Sequence, residues 1–364
     1  MTTVIMLSPV FPTEMSYFTR ALAGVGATVI GVGDQPPHDL PDAARHAMAH
    51  YEHVSLADEG AVFGALHGLA RHFRFDQVEC LWEPYMLLAA RIRESFGLPG
   101  MTVEQTVPFR DKERMKRVLD AAGVRTPHHF AATTVAGVWE AAERIGYPII
   151  VKPIAGAGSA DTYRVDSGEQ LADVLPALRH VPEVSVEEFV DGEELTFDTV
   201  CADGRRMGVD VLKALGFRTG FTHMEWYRTA SGEAVFGEIG ARPPGARVVD
   251  LMNYACDGDL YVAWAEVVLH GRLGAPLTRK YNAGSIFKRA HGDGRITHVD
   301  GLDALRAAYG GDIVHVDLLP VGAPRRDWRA TVMGDGWIVV RHHDLQRVIE
   351  MTERFAADLH LYAG

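Results

Sequence analysis

Cysteine is scarce in this chain of 364 residues: only Cys80, Cys201 and Cys256 occur, and no two lie in a CxxC spacing. Neither a zinc site nor a disulfide framework is expected from that pattern; three buried thiols in a reducing cytoplasm are. Long apolar runs are missing too, since nothing approaches the roughly 18 residues that a membrane span requires. The opening Met1-Thr-Thr-Val-Ile-Met-Leu-Ser8 has no basic residue ahead of its apolar stretch, so it reads as a buried first strand and not as a signal peptide. Positive charge is short, with 36 Lys and Arg against 48 Asp and Glu and a formal net charge of −12. A chain of this sign lacks the general basic face that nucleic acid needs, so any phosphate site must be a local cluster of lysines, arginines and backbone amides. Internal repeats, low-complexity tracts and disordered linkers are also missing.

What remains is the composition of an ordinary globular protein, 47% hydrophobic and 23% charged, at a length that suits two or three domains. The first hundred residues alternate strand and helix. Val4–Ser8, Ala27–Gly33 and Val78–Trp82 are apolar strands, and Thr13–Val25, Glu59–Phe73 and Pro84–Phe96 have helical spacing. That rhythm predicts a parallel sheet with βαβ crossovers. Glycines 24, 26, 31 and 33 do not form GxGxxG between the first strand and its helix, which argues against a nicotinamide-binding fingerprint.

A different pattern starts at Asp111. Residues 111–124 predict a helix with Met115, Val118, Leu119 and Ala122 on one face, stopped by Gly123. Thr134–Ile145 predicts a second helix, and Ile149–Lys152 a strand that leads into Pro153-Ile-Ala-Gly-Ala-Gly-Ser159. Ser167 and Gln170 form a capping box for a helix carrying Leu171, Val174, Leu175 and Leu178. Val184–Val190, Glu194–Ala202 and Arg206–Lys213 then read as antiparallel strands, the last two joined at Asp203-Gly204. Helices are expected near 245–255 and 258–270. An α+β segment follows, with strands Ser285–Arg289, Ile313–Leu319 and Trp337–Arg341 and helices near 302–309 and 344–357.

Two glutamates carry the most specific inference. Thr222–Thr229 and Ala234–Gly240 flank a hairpin turn at Ala230-Ser-Gly-Glu233, and if Ser231 and Gly232 are the turn residues, Glu225 falls opposite Glu238. Opposed Cβ atoms on neighbouring strands sit about 4.5–5.5 Å apart, and like charges there repel. A divalent cation relieves that repulsion, and hard oxygen ligands beside phosphate suit Mg²⁺; an exposed hairpin with both carboxylates solvated carries the same pattern. The loop Ala155-Gly-Ala-Gly-Ser159 follows Lys152, whose place at the end of an apolar run points its ammonium at solvent or an anion. Glycines let backbone N–H groups approach phosphate oxygens, although no GKS or GKT follows and a plain turn has the same composition. Val186-Glu-Glu-Phe-Val-Asp-Gly-Glu-Glu194 is either a strand end with a charged turn or a hinge that offers backbone groups to adenine and a carboxylate to ribose.

Taken in order, five segments resemble the ATP-grasp superfamily: Asp111-Lys112…Met115-Lys116…Ala122-Gly-Val-Arg-Thr-Pro127, Tyr147-Pro-Ile-Ile-Val-Lys152-Pro, Gly156-Ala-Gly-Ser159, Glu187-Glu-Phe-Val-Asp-Gly, and Gly237-Glu-Ile-Gly-Ala-Arg-Pro-Pro-Gly245. Within it the chain is most similar to amino-acid ligases and carnosine-synthase-like carboxylate–amine ligases. The resemblance spans residues 104 to about 275. It implies a Rossmann-like N-terminal domain (1–103), an ATP-grasp domain of two α+β subdomains (104–275) and a C-terminal α+β segment (276–364). It further implies that Lys112 and Lys152 contact ATP phosphates under a loop that includes Gly156, Gly158 and Ser159. Glu187, Glu188, Phe189 and Val190 would line adenine, with Glu194 at the ribose; Glu225 and Glu238 would hold Mg²⁺, or Mn²⁺ in its place; Arg242 would bind the acid or its acyl phosphate.

Two departures stand out: Gly240 occupies the place where the family often has a metal-binding Asn, and Ser159-Ala-Asp-Thr162 replaces a further loop glycine. The activity implied is ATP-dependent amide formation through an acyl phosphate, from a small carboxylic acid and an amine, by a cytoplasmic enzyme with no nucleic-acid or membrane partner. Base rates favour a homodimer. A carboxylase-like enzyme with another acceptor and an inactive nucleotide-binding module are the alternatives. Leu215–Phe221 is expected on one side of the pocket, Glu83 at a substrate amine, and His128-His129 and His342-His343 in structural or solvated roles.

Overall fold

The computed structural model describes residues 1–154, 161–201, 210–327 and 333–364. Its internal contacts divide the chain into two compact units, Met1–Pro243 with Val262–Leu273, and Pro244–Tyr261 with Gly274–Gly364. This partition groups the N-terminal sheet with the segment that follows it.

The first unit opens with β1 (Thr3–Leu7), α1 (Met15–Gly24), β2 (Thr28–Gly33), α2 (Asp42–Arg45), β3 (Met48–His53), α3 (Glu59–Leu69), β4 (Gln77–Glu79) and α4 (Met86–Phe96). All four strands are parallel, in the order β3-β2-β1-β4. Val4, Ile5, Met6 and Leu7 are each 0% exposed, as expected of a strand covered on both faces. Ile5 and Leu7 join Ile30, Val32, Val62, Leu66, Val78 and Leu88 in one core. Strand β3 was not legible in the sequence: Met-Ala-His-Tyr-Glu-His has no apolar alternation, which suits an edge strand.

The same unit continues with α5 (Val103–Thr106), α6 (Lys112–Ala121), β5 (His129–Ala132), α7 (Val135–Ile145), β6 (Ile149–Pro153), β7 (Tyr163–Val165), α8 (Gly168–Val174), β8 (Val184–Glu188), β9 (Gly192–Cys201), α9 (Asp210–Ala214), β10 (Gly220–Thr229) and β11 (Ala234–Gly240). Two antiparallel sheets result, β5-β8-β6-β7 and β11-β10-β9. Asp111 caps α6 by accepting from the backbone N–H of Glu113 and Arg114. The strand expected at Arg206–Lys213 is a correction: its described end, Asp210–Ala214, is helix α9, because Val211, Leu212 and Leu215 bury together against Met115 and Leu119. So short an apolar run fits either period; the Asp203-Gly204 turn lies outside the described residues. At α8, Ser167 accepts from Gln170 N–H, but the Gln170 side chain accepts from Asp166 N–H and the helix ends at Val174, short of Leu178.

Most of α11 (Leu260–His270) belongs to the first unit, and the second holds α10 (Val248–Cys256), β12 (Asn282–Lys288), β13 (Ile296–Asp300), α12 (Leu302–Tyr309), β14 (Ile313–Leu318), β15 (Gly336–His342), α13 (Leu345–Asp358) and β16 (His360–Ala363). Strands pair antiparallel as β12-β15-β14 and β13-β16. Val348, Met351 and Phe355 of α13 pack on Ile286, Ile338 and Val340. No described helix is long and apolar enough to cross a membrane. Of the cysteines, Cys80 is buried and Cys256 only half-buried, against the expectation of three buried thiols; the Cys201 side chain is outside the described set.

The turn into α12 depends on a glycine. Gly301 has φ +86°, and a Cβ there would fall on the Asp358 carbonyl oxygen. A Gly301→Ala variant is expected to lose about 2 kcal/mol or more of stability, from the left-handed backbone and the overlap, read as a lowered urea midpoint.

Candidate functional site

One cleft of about 320 Å³ in the first unit gathers the sequence-derived residues. Lys112, Lys152, Glu187, Glu188, Phe189, Val190, Glu194, Glu225, Glu238 and Arg242 all line it, together with Glu83 and Tyr227. Gly156, Gly158 and Ser159 lie outside the described residues.

Two carboxylates meet on β10 and β11. Glu225 pairs directly with Glu238, as the hairpin argument requires, but by a different path. Thr229 and Glu233 close a loop of Ala230, Ser231 and Gly232, not a two-residue turn. The resulting one-residue offset is cancelled by a bulge: Trp226 pairs with Phe236, leaving Gly237 as the extra residue before Glu238. A Cβ on Gly237 would stand 2.9 Å from the Glu225 carbonyl oxygen, so the bulge that aims Glu238 needs glycine. Met224 is buried on the opposite face, and Trp226 is partly buried there.

Each carboxylate has a cation beside it. Lys112 Nζ donates to Glu238 Oε1 at 2.9 Å. His223 Nε2 lies 3.4 Å from Glu225 Oε1, and its Nδ1 lies 2.6 Å from Asp198 Oδ1. Burial opposes charge on His223, yet Asp198 and Glu225 carry its pKa to about 9. The hydrogen bond from His223 in turn holds Glu225 below the usual carboxylate range.

A second charge centre lies on β8. Glu187, 3% exposed, bonds to Lys116 through Oε1 and to Lys152 Nζ through Oε2 at 3.0 Å. Burial works against ionising Glu187, but the two lysines together bring it to about 2. For Lys116 burial dominates and lowers its pKa, whereas Glu187 and Glu238 overcome burial at Lys152 and raise it. Lys116 appeared in the sequence only as part of a motif. Its signal was there: a lysine between Met115 and Leu119, on a buried helix face, must meet an anion. Glu187 therefore faces two lysines, and the expectation that it lines adenine is modified to that extent. Deeper in, His129 bridges Glu113 (2.7 Å) and Asp120 (3.0 Å), a structural role as expected.

Glu83, 4% exposed, sits just beyond β4 and accepts from Arg110 and from Arg242 Nε, the latter at 2.9 Å. It is an anchor for two arginines, where the sequence suggested an amine contact. Gly240 has a local reason as well: a Cβ there would stand 3.1 Å from Arg242 Cγ, so the glycine leaves room for the arginine to lie back toward Glu83. Leu215–Phe221 does not line this cleft; Phe217, Thr219, Gly220 and Phe221 line a second cavity.

Two carboxylates on adjacent strands form a hard-oxygen donor set. Among the described residues no group of three His, Cys, Asp or Glu side chains could hold a metal ion. The pair thus fits a cation that takes its other ligands from phosphate and water, which is how Mg²⁺ is bound at nucleotide sites. Four cationic groups, Lys112, Lys116, Lys152 and Arg242, stand in or beside the cleft among its six glutamates, and they are the groups that a polyphosphate would meet.

Comparison with known proteins agrees. Residues 111–205 match the family described as carbamoyl-phosphate synthase L chain, ATP binding domain. An L-amino acid ligase from Bacillus licheniformis shares the fold over 100% of this chain and 99% of its own, at 20% identity and a TM-score of 0.79. So does the N5-carboxyaminoimidazole ribonucleotide synthetase of Thermotoga maritima, over 100% of both chains at 16% identity and a TM-score of 0.75. Among curated sequences, the uncharacterized protein y4rH of Sinorhizobium fredii is 28% identical over 78% of this chain and 66% of its own length. The L-arginine-specific L-amino acid ligase of Bacillus subtilis is 26% identical over 48% of this chain and 53% of its own. The chain therefore spans between half and two thirds of these relatives.

Removing the Glu187 carboxylate leaves the buried Lys116 and the half-buried Lys152 without the anion between them. Glu187→Gln is expected to destabilise the protein by about 3 kcal/mol at neutral pH. The folded pKa of Glu187, about 2, is below its usual 4.5, so the wild-type advantage is full above the unfolded value and shrinks as pH falls from there toward the folded one. Paired urea titrations of wild type and variant across that range check both sign and window.

Proposed function

We propose that this chain, a member of the ATP-grasp superfamily, is an ATP-dependent ligase that joins a small carboxylic acid to an amine, with amino acids as the substrate class. The observation that carries the reading is the pairing of Glu225 with Glu238 in the same cleft as Lys112, Lys152 and Arg242. The amino-acid ligases among the similar proteins support it.

A carboxylate is a poor acyl donor because oxide would have to leave. Attack of a carboxylate oxygen on the γ-phosphorus of ATP breaks the bond to the β,γ-bridging oxygen and gives an acyl phosphate and ADP. The amine lone pair then forms the C–N bond, the C–O bond to phosphate breaks, and the ammonium proton is lost, leaving an amide and inorganic phosphate. Lys112 and Lys152 reach the phosphates. Phe189 and Val190 line adenine, and Glu194 meets the ribose. Glu225 and Glu238 hold Mg²⁺, which when bound offsets phosphate charge. Arg242 receives the acid and its acyl phosphate, fixed in direction by Glu83. Its dependence on ATP and its free cysteines are consistent with the cytoplasm.

With ATP, Mg²⁺ and an amino-acid library, ADP and phosphate are expected in equal amounts together with a product mass equal to two amino acids less water. Phosphate release that needs bicarbonate would reassign the enzyme to a carboxylase-like reaction, and ATP binding without turnover on any acid–amine pair would remove the ligase reading. Lys152→Met is expected to lower kcat by about 100-fold or more. Glu83→Gln, which loosens Arg242 along with Arg110, is expected to cost about 100-fold in kcat/KM while leaving ATP affinity unchanged in equilibrium dialysis.

A further inference from the structure

A smaller cavity, of about 220 Å³, opens at the carboxyl ends of the parallel strands, where open α/β sheets bind ligands. Residues 8–11 follow β1, residues 33–35 lead out of β2, Tyr51 stands on β3, and Trp82 and Tyr85 follow β4. The cavity shares no lining residue with the cleft, but Trp82 directly precedes Glu83, which lines the cleft. Aromatic residues make up 9% of the chain and four of the ten residues around this cavity: Phe11, Tyr51, Trp82 and Tyr85. Phe11 is 49% exposed, and the other three are partly exposed. A guest can reach all four.

The wall after β1 is fixed in place. Ser8 has φ +51°, a left-handed backbone that is costly outside glycine. Its N–H donates to the Val32 carbonyl at 2.9 Å and its Oγ to that of Phe11 at 2.6 Å. Thr19 Oγ1 donates to the Pro9 carbonyl at 2.7 Å. These ties hold Phe11 against Trp82, with ring centroids 5.1 Å apart and planes at 88°, so the two rings form a corner.

Asp34 is the one charged residue of the lining among the described residues. Its Oδ1 accepts from Leu56 N–H at 2.6 Å, and no described lysine, arginine or histidine forms an ion pair with it. Burial, then the Asp34 charge, pushes the Tyr85 hydroxyl above its usual range. At Tyr51 burial carries the hydroxyl to about 12, and Asp34 adds to the rise. The carboxylate is therefore within electrostatic reach of both phenols, and both stay neutral. An exposed carboxylate alone is merely solvated; beside four rings it completes a recognisable set.

Aromatic faces carry negative potential, so rings together with a carboxylate attract a cation whose hydration is weak and whose body is apolar. A neutral guest leaves the carboxylate unmatched, and a hydrated metal ion gains little from the rings. We propose that this cavity binds an organic cation, an ammonium or guanidinium group on a hydrocarbon arm, and that it thereby selects amino acids with a cationic side chain as substrates. The site stands on its own geometry, whereas the substrate assignment rests on the ligase reading. Adjacency of Trp82 and Glu83 supports that assignment, since it sets the cavity beside the end of the cleft where Glu83 holds Arg242.

The test uses the full chain labelled with ¹⁵N-tryptophan and titrated without ATP or metal, so that it does not depend on turnover. Butylguanidinium is compared with butylurea, its neutral isostere, and pentylammonium with pentan-1-ol. Of the six indole resonances, the one that Trp82→Phe abolishes is expected to move saturably with at least one cation. The neutral partner of that cation is expected to bind about tenfold more weakly, and the pair that shows the preference identifies the head group. Asp34→Asn keeps an oxygen for Leu56 N–H and removes the charge; it is expected to weaken the cation about tenfold. Phe11→Leu, at a half-exposed position, weakens it in the same direction and serves where the first variant misfolds. A Trp82 resonance that stays fixed, that answers equally to cation and isostere, or that is unchanged in both variants overturns the site. Product from uncharged amino acids alone, in the ligase assay, overturns the substrate assignment. Absence of turnover removes the ligase reading and leaves the titration to decide the site.

Discussion

A single carboxylate held between two ammonium groups sets the arrangement of the cleft. Glu187 on β8 binds Lys116 from α6 and Lys152 from β6, so one side chain couples a helix to two strands of a sheet. Burying three ionised groups carries a large desolvation cost, and a pair of this kind is poor evidence of stability for its own sake. Its geometry has another consequence. Two positive charges on one negative leave a local excess of +1 at the edge of the cleft, in a chain whose formal net charge is −12. The excess does not depend on surface lysines that salt would screen; it is fixed between helix α6 and the sheet.

The hairpin solves the converse problem. Glu225 and Glu238 stand opposite each other, an arrangement that like charges disfavour. Lys112 neutralises one, and His223, itself oriented by Asp198, neutralises the other. The backbone contributes through Gly237 and Gly240. The first permits the bulge, and the second clears the volume taken by the Arg242 side chain. Both glycines serve by what they leave out.

Much of this was legible because it rests on local rules. The apolar strands of the N-terminal sheet, the helix behind Asp111 and the order of the five motifs all read directly from the chain. The opposed glutamates were reached through a two-residue turn that the structure does not have, and the Gly237 bulge restored the register. Strand pairing has period two, so a single slip would have reversed every face; only a second irregularity could repair the first. Lys116, the anchoring role of Glu83 and the Asp198–His223 pair were hidden for another reason. Each depends on a partner 25 or more residues away, Glu187, Arg242 and Asp198 among them, and charge pairs of that separation leave no periodic trace. β3 was missed because edge strands need no apolar face.

The pairs of the cleft also bear on how its ligands would arrive under the proposed function. Lys112 Nζ now offsets Glu238, bonded to its Oε1 at 2.9 Å. A nucleotide alone would draw that positive charge toward phosphate and weaken the offset of Glu238 beside Glu225, and a metal ion alone would weaken the anion that faces Lys112. The two together restore both balances. Each ligand then removes a penalty that the other would meet, which is a coupling free energy and acts equally in both directions. Under the proposed function, the ion pairs of the cleft would favour the joint arrival of metal and nucleotide over either one alone.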